Sequence, residues 1–312
     1  MFLGDHDSNG KPRDGSDLSD WRGDAGAATV SAAVEVGLLA KKALCDRAAG
    51  HVVAAFERSF YATLDGNWIC VGQLDIGSGP LHLLGRVDLS RLAVGDAVRV
   101  ADSILWVAGA PFLKLASASR WAPRAVPHWS ESSLRRGLHA VDEVWRGDLT
   151  AGGLASAGSG WIPVEASALV QAARPGLVAL ARILAGSVGE SDDMSGLRSL
   201  IGLGPGLTPS GDDLIGGALI ALAALGRIEC RDALWGRCRA LIERTNDVSG
   251  VHLQAAAQGY GAAALHDAIH AVMGGTARLH QALNALTAVG HTSGLDAFAG
   301  SLIVLRHAIR KQ

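Results

Sequence analysis

The strongest constraint on the fold of this chain is a change of periodicity near residue 120. Before that point the sequence is broken into short β-prone runs: His51–Phe56, Ser59–Thr63, Trp68–Val71, Leu81–Leu84, Ala97–Val100 and Ile104–Val107. Turn signals separate them at Asp65-Gly66, Gly77-Ser78-Gly79-Pro80 and Gly95-Asp96. Short strands at such spacing predict a small antiparallel sheet or barrel. After about residue 165 apolar residues recur at three and four, which predicts helices over 166–185, 211–226, 229–245, 249–273, 275–288 and 293–310. The fold class expected is therefore α+β, with a β-rich N-terminal part followed by an α-helical C-terminal domain.

The boundaries follow from texture. Residues 1–25 are polar and rich in Gly and Asp, and read as a disordered extension without the basic and apolar regions of a secretory signal. Residues 26–48 read as a helix stopped by Gly50, and open a helix-plus-β domain that runs to 120. A helix from Ser130 to Trp145, with Ser130 as N-cap, and a Gly/Ala/Ser-rich linker over 147–160 make 121–165 a connection. Residues 166–312 form the helical domain expected to carry the site.

Composition narrows the function. The net charge is −2 with no basic block, so neither nucleic acid nor an anionic membrane has an electrostatic footprint. No uninterrupted apolar run reaches the roughly 18–20 residues of a membrane span; Leu214–Leu225 is the longest. Cys45, Cys70, Cys230 and Cys238 are scattered and read as reduced thiols of a cytoplasmic protein.

The most informative segment is Gly202-Leu-Gly-Pro-Gly-Leu-Thr-Pro-Ser-Gly-Asp-Asp213. Alternating glycines permit a tight turn and close backbone approach to a ligand. Thr208 before Pro209 reads as an N-cap with proline in the first helical position, and the amides of the first turn would then be free for an anion. The segment lacks the third glycine of a dinucleotide fingerprint and the Lys-Ser/Thr of a Walker A loop. Asp212 and Asp213 add negative charge where phosphate would prefer positive. A divalent cation such as Mg2+ on Asp212 and Asp213, compensation by Arg198 or Arg244, or a substrate rich in N–H groups would each resolve this. Gly204, Gly206 and Gly211 are candidate amide donors, Thr208 and Ser210 candidate hydroxyls, and Gly216-Gly217 would allow a second helix to pack closely.

A second turn, Gly290-His291-Thr292-Ser293-Gly294-Leu295-Asp296, is built alike, with Ala299-Gly300 as a small packing face. Thr292 or Ser293 caps the following helix, and on the functional reading the two helix starts face each other across one pocket. Asp296 lies in the first turn, and His291 is a candidate general acid or base. A third element, Arg244 to Ser249, offers Thr245 or Ser249 as cap and opens the helix bearing His252, Gln254, Gln258, His266 and His270; Thr245, Ser249, Thr292, Ser293 and Asp296 are candidate substrate- or anion-binding residues. His266 and His270 stand at i,i+4, a metal-binding spacing, but without the Glu of a zincin they read as a solvated surface pair. No Gly-x-Ser-x-Gly elbow is present.

At residues 202–213, at Thr245 to Ser249 followed by Gly259, and at 290–300, with a similar turn at Gly79-Pro80, the chain resembles the AllH-type subunit family of oxamate carbamoyltransferase. The resemblance spans roughly residues 27–310. It implies transfer of a carbamoyl group between oxalurate and phosphate, giving oxamate and carbamoyl phosphate, within a hetero-oligomeric assembly of purine or allantoin catabolism. Partner subunits are implied, and the small-molecule partner is an amide, a ureide or a phosphate-bearing metabolite. Two other readings stand beside it: a metal-assisted hydrolase or other enzyme of amides or ureides, and a non-catalytic metabolite-binding or scaffold subunit.

Overall fold

A computed structural model describes residues 30–144, 153–159, 167–186, 190–275 and 278–310. The expected extension at 1–25 and half of the linker at 147–160 lie outside the described residues.

The N-terminal part is a nine-stranded curled sheet, followed by helices, as its periodicity predicts. Its strands are β1 (Ala33–Gly37), β2 (Ala49–Ala55), β3 (Ser59–Leu64), β4 (Asn67–Gly72), β5 (His82–Gly85), β6 (Ala97–Ala101), β7 (Ile104–Val107), β8 (Ala110–Lys114) and β9 (Ser119–Trp121). Their order is β8-β7-β6-β2-β3-β4-β5-β1-β9. Pairing is antiparallel except for β4 with β5 and β1 with β9. A bridge between Ala32 and Lys114 joins the two ends of the curl. Val52, Phe60, Ala62, Leu64, Ile69, Val71, Leu83, Val98, Leu105 and Leu113 fill its interior.

The helix expected over 26–48 is corrected. Its described part is β1 followed by a six-residue helix, α1 (Leu38–Ala43). Apolar spacing in Val34-Glu35-Val36 fits alternation as well as a helical stripe, and pairing on both sides decides for the strand. Gly50 stops nothing: it lies in β2, where a Cβ would meet the Thr63 carbonyl oxygen at 1.9 Å. Strands β8 and β9 lie outside the runs that sequence alternation predicts.

The helices that follow are α2 (Glu131–Val144), α3 (Ala168–Ala185), α4 (Glu190–Leu197), α5 (Ser210–Ala224), α6 (Ile228–Arg239), α7 (Asp247–Ala257), α8 (Ala263–Gly274), α9 (Leu279–Leu286) and α10 (Ser293–Ala308). Ser130 caps α2 as expected, exchanging side-chain to backbone bonds with Ser133 at 3.1 and 2.9 Å. The single helix predicted for 249–273 is two, because the chain turns at Gly259, whose φ is +82°. The one predicted for 229–245 ends at Arg239. Among the described residues, α3 alone is long and apolar enough to cross a membrane; Val170, Ala173, Leu180, Ile183 and Leu184 on it are buried in the helical core. None of the four cysteines is in a disulfide.

Candidate functional site

Helix contact builds the site. A Cβ on Gly217 would lie 1.7 Å from the Ala297 carbonyl oxygen, and one on Gly300 would lie 1.8 Å from that of Leu214. Only glycines allow backbones so close, and the Ser301 hydroxyl donates to the Gly217 carbonyl at 2.9 Å across the seam. Thr208 meets Ser293 at the helix starts and Gly217 meets Ser301 about two turns on, so α5 and α10 run in the same direction and start side by side. At those starts the Thr208 and Ser293 hydroxyls meet at 2.7 Å.

Asp212 ties the glycine turn to its surroundings. It is 2% exposed. Its Oδ1 accepts the Gly202 amide at 2.8 Å, and its Oδ2 accepts the Ser249 hydroxyl at 2.7 Å and the Thr245 hydroxyl. Burial raises its carboxyl above the usual range, while these donors pull it back. Thr245 and Ser249 are therefore occupied, and Asn246 caps α7 instead, accepting the Ser249 amide at 3.0 Å.

Asp213 is different. It lines a cavity of about 240 Å³ between the helices and the sheet, smaller than the roughly 300–1,000 Å³ of drug-sized sites. Its Oδ2 is buried without a hydrogen-bond partner. Burial holds its carboxyl well above the usual range, and the nearby charges of Asp296 and Asp212 push the same way. The Ser293 and Thr208 hydroxyls counter them.

The sheet supplies the opposite wall. In β3, Phe60, Ala62 and Leu64 face the core, so Tyr61 turns to the helices. Its hydroxyl lies 2.8 Å from His252 Nε2 on α7. Burial, followed by the neighbouring Cys70 and Asp213, drives the Tyr61 phenol up. Burial lowers His252 to about 4, with His82 contributing, so the imidazole is neutral. His82, also lowered by burial, donates from Nδ1 to the Gly77 carbonyl at 2.6 Å. The loop carrying Gly77–Pro80 is held from the helical side, where the Ala263 amide donates to the Ser78 carbonyl at 2.9 Å.

Of the candidate site residues, Thr208, Asp212, Asp213, Ser249 and Ser293 line the cavity, and the others do not. Thr208 is not the cap. Pro209 occupies that position and Ser210 begins the helix. The expected free amides are also used: Gly211 donates to the Leu203 carbonyl at 2.9 Å, and Asp212 and Asp213 donate to that of Pro209 at 2.9 and 3.0 Å. The chain therefore folds back on its own helix start where an anion was expected. Gly204 and Gly206 have φ of +115° and +90° and shape the turn away from the lining. Thr292 sits at the N-cap position of α10 without a side-chain cap bond. Asp296 is fully buried and accepts the Leu154 amide at 2.5 Å. Burial raises it, and the Ser210 hydroxyl and Leu154 amide oppose that. It anchors the one-turn helix at Ala155–Ser159 against α10. His291, Arg198 and Arg244 are exposed, and Gln254 and Gln258 face solvent.

The His266–His270 pair is not a solvated one. His266 is 7% exposed and its Nε2 accepts the Gly261 amide at 3.1 Å. Both oxygens of Asp212 are hydrogen-bonded, whereas Asp213 Oδ2 has no hydrogen-bond partner. Among the described residues no group of three His, Cys, Asp or Glu is placed to hold a metal. Sequence reading missed Tyr61 and His82 and gave His252 no role. Their signal was faint: a lone tyrosine on the outward face of an alternating strand, and a histidine two residues past Gly79-Pro80.

Chemically the cavity offers a proton acceptor on one wall and a phenol–imidazole pair on the other, with hydroxyls beside the acid. Among its described lining residues there is no Lys or Arg. No solved structure matches the chain. Residues 200–305, which contain the glycine turn, Asp212, Asp213, His252 and Ser293, match the family model described as oxamate carbamoyltransferase subunit AllH, and that match supports the family the sequence resembles.

Proposed function

We propose that this protein is a cytoplasmic subunit of a carbamoyl-transferring assembly, and that the cavity between sheet and helices holds its ureide or amide metabolite. The reaction implied joins oxalurate and hydrogen phosphate to give oxamate and carbamoyl phosphate. A C–O bond forms between phosphate and the carbamoyl carbon, the ureide C–N bond breaks, and the proton of hydrogen phosphate ends on the departing amide nitrogen. A carboxyl that burial holds above its usual range is suited to that relay.

The observation that carries this reading is Asp213: a carboxyl on a cavity wall, raised by burial, with one oxygen unpartnered. Thr208 and Ser293 fix its position. With Asp212 saturated by donors, the two acids do not present a joint set of oxygens to a cation, and the geometry favours proton transfer at Asp213.

The test is Asp213→Asn in the reconstituted assembly, following carbamoyl phosphate formed from oxalurate and phosphate. The amide keeps the shape and cannot exchange the proton, so turnover falls by at least about 100-fold, the lower end of acid–base contributions. Unchanged turnover would assign this chain a scaffold role and end the proposal.

A further inference from the structure

We infer that the cavity recognises the carbamoyl group itself, with its N–H edge against Asp213 and its carbonyl oxygen against the Tyr61–His252 pair, and that phosphate is not held there by this chain. The inference rests on the reading above and specifies which part of the metabolite enters.

The two walls are chemically opposite. On the helical wall, Asp213 Oδ2 is buried without a donor, while Thr208 and Ser293 sit beside the same carboxyl. A ligand N–H would supply the missing donor. On the sheet wall, Tyr61 and a neutral His252 share one hydrogen bond of 2.8 Å. When His252 Nε2–H donates to the phenolic oxygen, the Tyr61 O–H faces the neighbouring Cys70 thiol, a weak acceptor that a ligand carbonyl would displace. Asp213 and Tyr61 line the same cavity of about 240 Å³, small enough for one small group to meet both walls. An acceptor facing a donor is the complement of a primary amide, whose amino group and carbonyl oxygen sit on one carbon.

Electrostatics excludes the alternative ligand. Phosphate needs cations or free amides, and the described lining has no Lys or Arg while the amides of Gly211, Asp212 and Asp213 are spent within the chain. The histidines on the wall are neutral, and the carboxyls of Asp212, Asp213 and Asp296 lie at or behind the cavity. A dianion there would meet like charge in a poorly solvated space. The site is therefore selective for an uncharged end, and the cations for phosphate belong to another surface.

The probe is N-carbamoylglycine, 13C-labelled at the carbamoyl carbon, titrated into the full chain by calorimetry beside inorganic phosphate. N-carbamoylglycine should saturate, and phosphate should give no saturable heat. Asp213→Asn and Tyr61→Phe should each weaken the probe about tenfold or more, the loss expected from one hydrogen bond worth about 1.4 kcal/mol. In the wild-type complex the 13C resonance should move downfield, as a carbonyl hydrogen bond requires, and Tyr61→Phe should abolish that shift. Should Tyr61→Phe fail to fold, the wild-type resonance decides: no downfield shift overturns the inference. Saturable phosphate binding with no binding of N-carbamoylglycine overturns it as well. Tight probe binding together with full turnover of the Asp213→Asn assembly would remove the catalytic reading and leave the recognition intact.

Discussion

Asp212 and Asp213 share a side chain and a position in the first turn of α5, yet successive helical residues point about 100° apart. One turns inward to three donors, and the other turns to the cavity. Their substitutions should separate. Asp212→Ala strands the Gly202 amide and two hydroxyls and should cost about 3 kcal/mol, read as a lower urea midpoint. Asp213→Asn should do the reverse at neutral pH. The folded carboxyl titrates above its unfolded value, so the folded state binds more protons and stability falls as pH rises through that window. Once the pH has risen past that window, removing the charge should raise Tm by roughly 2–4 °C, the shift that about 1 kcal/mol makes in a chain somewhat smaller than this. The gain should vanish below pH 4. Residue identity at the turn was legible in sequence, because glycines, hydroxyls and acids are rarely packed so densely without a task. Which acid faced the cavity was not, because that depends on Thr245 and Ser249, more than thirty positions away.

At the scale of elements, the seam between α5 and α10 sets the distance between the two helix starts. Gly217→Ala would put a methyl 1.7 Å from a carbonyl oxygen, so the helices must part. The expected cost is about 3 kcal/mol, at the upper end for overpacking, together with loss of N-carbamoylglycine binding. A variant that keeps both would show that the seam does not position Thr208 and Ser293. Gly216-Gly217 and Ala299-Gly300 announced close packing from sequence. Strand β1 was hidden, because Val34 and Val36 fit either period and only pairing with β5 and β9 chooses. The break between α7 and α8 was hidden too: five residues, 258–262, interrupt an apolar stripe that reads straight through them.

Across the whole molecule, two neutral histidines lie where helices meet sheet. His252 touches Tyr61 of β3, and His266 packs beside Trp121 of β9. Burial brings each to about 4. Unfolded, they would titrate near 6.5. The unfolded chain therefore binds more protons between those values, and stability should drop as pH falls from 6.5 towards 4. Replacing His252 by Gln should flatten that limb of a Tm–pH profile, and an unchanged limb would place the acid sensitivity elsewhere.

The cavity has two authors. Its acid and hydroxyls come from the stretch that the family model matches, residues 200–305, whereas Tyr61, Pro80 and His82 come from a sheet that the match does not reach. Chemistry and taste are thereby written in separate passages of one chain. Exchanging a few side chains on that sheet would alter one wall of the cavity while the glycine bend and its carboxyl stay untouched.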